Sequence, residues 1–466
     1  MTRKHRWLWL VLTLLLIAGC GSGKGGQGLI LYSTFDEDGP QPELVVIDAD
    51  GKEQGRISLS DTVQWDYVAR GGQRALVGTF DGAVYLVDAV AGSAQELELP
   101  EEAQGQLVPN TSQFRLSGGG ERWTLLGDPR GGLAFLVNLK TGQVHDLTAI
   151  DEGLKLIFYG RFAPNEEYVI VGDHWLLPTA NPSAARRLGS GKSAFGGNFS
   201  SDGKQIVYLQ KAETEGLEVV VEQVDGSKSE VVTSGDWVSE ARFVPGKNQL
   251  VYQKSDKLFL FSLNDGKERE LLTCGEHPLL WLAPSGQKLL ASCLEDDTQV
   301  WYLVDLKGGA AKSLHDLREY TPYFMDRAHR WLIFVDDTSL GSGGRRLVGL
   351  DLESDETRQA LVLDEETTYM GLRSSSSDGK FGLVYAQTED KKAQLWLLRA
   401  DGGEPRLLAE KESFPYGVFS PDDRWVAVST MEKVNDHVET QLTLMETEGE
   451  GTRSLGEGFR PIWVRP

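Results

Sequence analysis

Phe419-Ser420-Pro421-Asp422-Asp423-Arg424-Trp425-Val426-Ala427-Val428 decides how this chain folds. An aromatic residue closes one short apolar run, a four-residue turn follows, and a second apolar run begins. Ser opens a type I turn, Pro presets φ at the next position and Asp bonds back to the backbone. A Gly, replaced in this copy by Asp423, takes the positive φ that completes it. The flanking runs are too short for helices and rich in Val, Ile and aromatics, so they read as strands. The frame returns as Phe199-Ser200-Ser201-Asp202-Gly203-Lys204-Gln205-Ile206-Val207-Tyr208, and more loosely as Trp281-Leu282-Ala283-Pro284-Ser285-Gly286.

Working outward, the closing aromatic or its equivalent recurs at Val68, Leu116, Phe162, Phe199, Phe243, Trp281, Phe324, Ser375, Phe419 and Trp463. Neighbouring markers stand between 37 residues (Phe162 to Phe199) and 51 residues (Phe324 to Ser375) apart. Some copies are degraded: Gly71-Gly72 and Gly118-Gly119-Gly120 keep the turn without Pro, and Ala328 stands in for Gly. After most hairpins comes a third strand ending in an acidic or amide turn, as at 84–88, 133–138, 258–265, 300–305 and 394–401. A more polar fourth strand follows, for example at 96–99 or 269–273. Four strands per repeat of roughly 44 residues make one blade of a β-propeller.

The chain ends extend the pattern. Residues 29–33, 44–48 and 56–59 read as the second, third and fourth strands of a blade, and 459–464 as a first strand with nothing after it. Joining the two completes a blade and removes the exposed edges of an open sheet. The expected fold is therefore all-β, a propeller of four-stranded blades closed by its N- and C-terminal strands, with about 8–10 blades. One ring is preferred, and a split into two stays open. The weakest unit runs from Phe162 to Phe199, where Asn181-Pro182-Ser183 interrupts the third-strand region. The marker aromatics Phe162, Phe199, Phe243, Phe324 and Phe419 read as core.

At the N-terminus, Arg3, Lys4 and Arg6 precede an apolar run from Trp7 to Ile17. That run is about half the ~20 residues a spanning helix needs, so residues 1–19 read as a secretion signal. Ile17-Ala18-Gly19-Cys20 resembles the lipobox of bacterial lipoproteins, which implies cleavage before Cys20 and its lipidation; a plain signal peptide is the other reading. Several acyl chains on Cys20 would make a lasting membrane anchor. Residues 20–28 then form the lipidated Cys with a flexible Gly/Ser-rich tether, and 29–466 the propeller. By the same resemblance, the lack of Asp at position 21 favours the outer membrane, facing the periplasm or the surface, where the cell has one.

The formal net charge is −22, and loss of Arg3, Lys4 and Arg6 leaves 44 basic against 69 acidic residues, a net of −25. That balance argues against nucleic acid, whose backbone demands basic residues, and against direct adhesion to anionic lipid. It suits a well-solvated secreted surface or an acidic docking face. Beyond Cys20 only Cys274 and Cys293 remain. Outside the cytoplasm they can pair, since the strand ends carrying them can lie close; two buried free thiols are the alternative.

The Phe/Trp-Ser-Pro-Asp-Gly-Lys frame, best kept around Phe199 and Phe419, is preceded closely by Pro278, Pro322, Pro415 and Pro461 in other copies and its own. With these features the chain resembles the TolB-like, WD40-like (PD40-type) propeller repeats of bacterial envelope proteins, over nearly everything after residue 28. The resemblance implies a binding platform and no reaction. TolB itself carries a separate N-terminal α/β domain, for which this chain has no room, so a role in the Tol–Pal system does not carry over.

No catalytic motif is found, and the chain is expected not to be an enzyme. The α/β domain of propeller-bearing prolyl peptidases is missing because every segment is used by blades. Gly189-Ser190-Gly191-Lys192-Ser193 looks like the end of a phosphate loop, but Arg186 stands where that motif needs Gly. His145, His174, His277, His315, His329 and His437 show no metal-ligand spacing. Asp36-Glu37-Asp38-Gly39 and Asp48-Ala49-Asp50-Gly51 read as turns rather than Ca²⁺ loops. No metal and no cofactor are expected.

One constellation points to binding. Just before the first strand of most blades sits an aromatic residue: Trp65, Tyr159, Phe195, Trp237, Tyr320, Tyr369, Tyr416 and Phe459, with His277 in the equivalent stretch. First strands line the central channel, so these residues gather around one mouth of it, where aromatic faces suit peptides or carbohydrates. Wedging between blades is the structural alternative. The expected function is a non-catalytic, lipid-anchored platform for an envelope protein or peptide. A propeller lyase or hydrolase on polysaccharide, and an outer-membrane assembly scaffold similar to BamB, are the other readings.

Overall fold

The computed structural model describes residues 28–34, 42–61, 63–68, 74–103, 108–109, 122–127, 132–151, 154, 160–172, 174–191, 193–213, 215–275, 278–295, 298–314, 317, 321–324, 331–335, 346–362, 367–413, 415–434 and 437–464. Among them the chain forms ten antiparallel four-stranded sheets, taken as blades 1 to 10 in chain order. The first strands of blades 2 to 10 are Val63–Val68, Val108–Pro109, Gly160–Phe162, Ala194–Phe199, Val238–Phe243, Leu280–Leu282, Thr321–Phe324, Thr367–Ser375 and Tyr416–Phe419. Blade 1 is assembled from both chain ends. Its strand Leu29–Ser33 pairs with Glu43–Ile47 on one side and with the C-terminal Phe459–Val464 on the other, in the register Ile30 to Trp463 and Leu31 to Ile462.

The cores lie between blades. Side chains alternate across a strand, so neighbouring residues of one second strand serve two different interfaces. Val77 packs with Leu44 and Ile462 of blade 1, whereas Leu76 packs with Phe135 of blade 3. Tyr208 meets Ile170 of blade 4 and Leu209 meets Tyr252 of blade 6. Leu289 meets Val251 of blade 6 and Leu290 meets Phe334 of blade 8. Leu136 with Phe162, Ile333 with Val384, and Leu383 with Val428 make the remaining forward contacts. The last cluster joins Ala427 of blade 10 to Ile30 and Val45 of blade 1. The contacts thus pass through all ten blades and return to the first, as in one closed ring. Burial on both faces explains why the second strands read as unbroken apolar runs.

The turn frame is built as its residues dictate. Ser200 Oγ donates to Asp202 Oδ1 at 2.6 Å, Gln205 N–H donates back to Ser200 Oγ at 3.0 Å, and Gly203 takes φ +70°. Ser376 with Asp378 and Ser420 with Asp422 repeat the pattern. The two acidic departures from Gly have a reason. Asp423 sits at φ +58° and its carboxylate accepts from the N–H groups of Ser377 (2.8 Å) and Asp378 (3.0 Å) in the turn of blade 9. Glu166, at φ +56°, accepts from Arg122 N–H of blade 3 at 2.9 Å. Each acid exchanges local backbone strain for a bond that locks one blade's turn onto its neighbour.

Some expectations change. Phe162 and Phe243 are buried, but Phe199 and Phe419 are only half-buried, packed against the margins of their interface cores; the side chain of Phe324 is outside the described residues. The fourth strand of blade 2 is Ser93–Glu96 rather than 96–99, and Leu97 is core beyond its end. Asn181-Pro182-Ser183 does not interrupt a third strand. It lies between the third strand Trp175–Pro178 and a two-residue fourth strand Arg186–Arg187, where Pro182–Ala184 makes a 3₁₀ turn. Gly189 falls in the 3₁₀ turn Leu188–Gly191, packed against Ala194 and Gln210.

Candidate functional site

First strands meet one another around the inside of the ring: Ala194–Phe199 touches Val238–Phe243, Thr367–Ser375 touches Tyr416–Phe419, and Phe459–Val464 touches Val63–Val68. All begin on the same face, the leading face, which they share with the loops joining second to third strands. Several carry a bulge near that face, where the register shifts, as between Phe195 and Asn198 and between Ser239 and Arg242. At the position three residues before the marker, Gly196, Glu240 and Arg460 all take positive φ, of +71°, +51° and +51°. Bulges re-aim side chains, and positive φ at Glu and Arg is sustained only where the surroundings enforce it.

The groups at these bulges tie neighbouring blades together. The Arg161 guanidinium donates to the carbonyl of Gly197 and to Asn198 Oδ1. Asn198 Nδ2 in turn donates to the carbonyls of Gly196 (2.9 Å) and Ala241 (3.4 Å), so blades 4, 5 and 6 are cross-linked along the channel wall. Glu240 pairs with Arg242 at 3.0 Å, and Arg460 donates to the Gln64 carbonyl of blade 2. The Arg373 guanidinium lies 6.0 Å from the Tyr385 ring and 5.8 Å from that of Tyr416. Burial pushes the Tyr385 phenol above its ordinary pKa, against the lowering influence of Arg373.

At blades 5 to 7 the leading face carries an apolar ledge. Phe195 is 38 % exposed, Trp237 59 %, Leu279 46 % and Leu294 52 %. The strands beneath fix each position on its own blade, and blade 6 to blade 7. Phe195 is paired with Leu209, the Trp237 carbonyl accepts from Ser255 N–H at 2.7 Å, and Leu294 N–H donates to the Cys274 carbonyl at 3.4 Å. The ledge is fixed from below by Gln253, 3 % exposed, which donates to the carbonyls of Ser255 (2.9 Å) and Gly275 (2.7 Å) and accepts from Ser239. A disulfide joins Cys274, after the last strand of blade 6, to Cys293 in the second strand of blade 7, with Cα atoms 4.6 Å apart. Exposed apolar groups on a braced support are what a docking surface requires.

The structure distributes the expected mouth residues unevenly. Phe195 and Trp237 stand on the ledge. Tyr416 and Phe459 open the first strands of blades 10 and 1 half-buried, the Phe459 carbonyl accepting from Ser33 Oγ at 3.1 Å. Trp65 and Tyr369 lie inside first strands, with side chains outside the described residues. Tyr159, His277, Tyr320 and the expected anchor Cys20 also lie outside them. Leu279, Leu294 and Gln253 were missed, because a single Leu or Gln at a strand end carries no sequence signal without the fold. Among the described residues, no group of three or more His, Cys, Asp or Glu is placed to hold a metal ion, and no helix is long and apolar enough to cross a membrane.

No family model and no curated protein matches the chain. Solved structures do. The crystal structure of a eukaryotic initiation factor matches at 12% identity and a TM-score of 0.49, over 94% of this chain and 99% of that one. An oligogalacturonate lyase in complex with manganese matches at 11% identity and a TM-score of 0.41, over 90% and 97%. TolB from Acinetobacter baumannii matches at 14% identity and a TM-score of 0.29, over 74% and 82%. At these identities the likeness is one of fold alone, that of a β-propeller. One expectation is corrected by it. The expectation that the chain is not an enzyme rests on the want of a catalytic motif, yet an enzyme stands among the matched propellers. A propeller site is gathered from several blades and leaves no local motif, so the want of one does not separate an enzyme from a binding protein.

Proposed function

We propose that the chain is a lipid-anchored propeller of the bacterial cell envelope that holds a protein or peptide partner on its leading face, at the ledge of blades 5 to 7. One observation carries this. Trp237, Leu279 and Leu294 remain exposed on blades 6 and 7, a support fixed by the buried Gln253 amide and the Cys274–Cys293 disulfide, with Phe195 exposed on the adjoining blade 5. Leaving such surface in water forgoes ~25 cal/mol for each Å² that a partner would cover. Exposed Asp236, Asp256 and Glu295 flank the ledge, which suits a partner whose apolar anchor is ringed by Lys or Arg. Export through residues 1–19 and anchoring through Cys20 support an envelope location, the outer membrane in cells that have one. The test is a crosslinking pull-down from envelope membranes with the anchor intact, beside a Trp237→Ala/Leu294→Ser variant checked for folding. A protein retained by the wild type and lost by the variant is expected; equal capture by both overturns the ledge as the site.

A further inference from the structure

The face opposite the ledge holds clefts between successive blades, each walled by a first turn and by the turn joining third to fourth strands. Two equivalent clefts differ in sign. That between blades 9 and 10, of about 330 Å³, is lined by Asp378, Asp422, Asp423, Glu446 and Glu448 against Lys380 and Arg424. That between blades 6 and 7, of about 730 Å³, is lined by Lys247, Arg269 and Lys307, and by no acidic residue at all. In a chain of net charge −22 this is a reversal of the general field. Neither Lys247, Arg269 nor Lys307 has a carboxylate within ion-pair distance among the described residues, although most other lysines and arginines described nearby do, such as Lys257 with Glu270 and Lys267 with Asp265. Asp305 stands beside this cleft, outside its lining, where its carboxylate accepts from Lys307 N–H (2.7 Å) and Gly308 N–H (2.8 Å) of its own turn and feels the Lys307 charge without pairing with it.

The remaining wall is uncharged and polar. Asn248 and Asn264 are joined side chain to side chain at 2.5 Å, and Gln249, Gln287 and Ser262 lie around them. The Arg269 guanidinium donates to the Leu306 carbonyl across the interface, which fixes its plane at the cleft wall. We propose that this cleft binds an anionic saccharide, a sugar carrying carboxylate or phosphate groups. The three cations neutralise the acidic groups, Arg269 with a fixed fork of donors and the lysines as mobile point charges. The amides pair with sugar hydroxyls, while the Ser262 hydroxyl is held by Asp265. The volume falls in the range of about 300–1,000 Å³ typical of small-molecule sites. This site is separate from the ledge and stands whether or not the ledge binds a protein.

The experiment sets the soluble disulfide-bonded propeller on an array of uronic-acid, phosphorylated and neutral oligosaccharides, beside a Lys247→Glu/Lys307→Glu variant. Both lysines are exposed and make no side-chain bond among the described residues, so the variant keeps the fold, which circular dichroism checks. Calorimetry with the best-retained acidic saccharide then measures the change. Retention of acidic and not neutral saccharides is expected, weakening at least tenfold in the variant and falling with added salt. Retention of no acidic saccharide, or equal retention by both proteins, overturns the proposal. So does variant-sensitive binding to phosphatidylglycerol vesicles without saccharide binding, which would assign the charge to a lipid surface.

Discussion

Arg453, in the last strand of blade 10, donates to the carbonyl of Ala49 in blade 1 at 2.8 Å, across 404 residues of sequence, and pairs with Asp50 at 3.0 Å. The bond spans the seam at which the ring closes. The same device recurs around it: Arg74 donates to Lys140, Arg186 to Val224, Arg269 to Leu306, and Arg406 to Glu446 and Gly449. In each case a guanidinium satisfies turn carbonyls of the following blade, where the last strand leaves them without a ladder partner.

Truncating these arginines should therefore loosen one interface at a time. Arg453→Ala, half-exposed, is expected to lower stability by about 1 kcal/mol, and the more buried Arg406→Ala by about 2 kcal/mol. Urea denaturation followed by tryptophan fluorescence checks both. Equal small losses would mean that the clamps are surface decoration.

The disulfide should matter more. It closes a short loop, with a separation of 19 residues, and bolts blade 6 to blade 7. Its removal by Cys274→Ser/Cys293→Ser is expected to destabilise the protein by about 3 kcal/mol. Mass spectrometry of unreduced peptides checks the bond itself, and denaturant midpoints check its weight.

The bulge at Glu240 holds a non-glycine residue at φ +51°. Glu240→Gly removes roughly 1 kcal/mol of backbone strain and loses a partly exposed pair with Arg242 of comparable or smaller worth. Stability is expected to hold or rise slightly, and partner capture at the ledge to stay unchanged. Denaturation and pull-down on the same variant measure the two effects.

Stability should also fall on mild acidification. His145, 5.9 Å from the Trp123 ring, has its pKa lowered by burial, and its Nε2 has no partner among the described residues. The unfolded chain takes up a proton near pH ~6.5, and the folded chain only below that. The protein is thus at full strength above the unfolded value and weakens as pH falls from there to the lower folded value. His145→Phe is expected to flatten this step. A second loss follows at lower pH, where carboxylates such as Asp202, held below the usual range mainly by the Ser200 hydroxyl, become protonated. Denaturant midpoints across pH, in wild type and variant, check both.

Much of this fold was legible because each blade repeats one local program: Ser200, Asp202 and Gly203 write their turn in four residues, and Ile206 to Tyr208 write a strand buried on both faces. The N- and C-terminal strands declared their missing partners, and Ile30 and Trp463 pair accordingly. The site was less legible. Trp237 and Phe195 stood out as aromatics, but Leu279, Leu294 and the Gln253 brace become significant only when three blades come together. The cationic cleft was invisible for the same reason, since Lys247, Arg269 and Lys307 lie far apart in the chain and only the packing of blade 6 on blade 7 brings them to one cleft.

The most direct measurement places a photocrosslinking amino acid at position 237, in the exposed Trp237 site on the ledge, and at position 90, where Val90 is 58 % exposed on the opposite face. Irradiation of cells carrying each anchored protein is followed by mass spectrometry of the adducts. The account predicts a discrete protein adduct from position 237 and none from position 90. The same adduct from both positions, or none from 237, would contradict it.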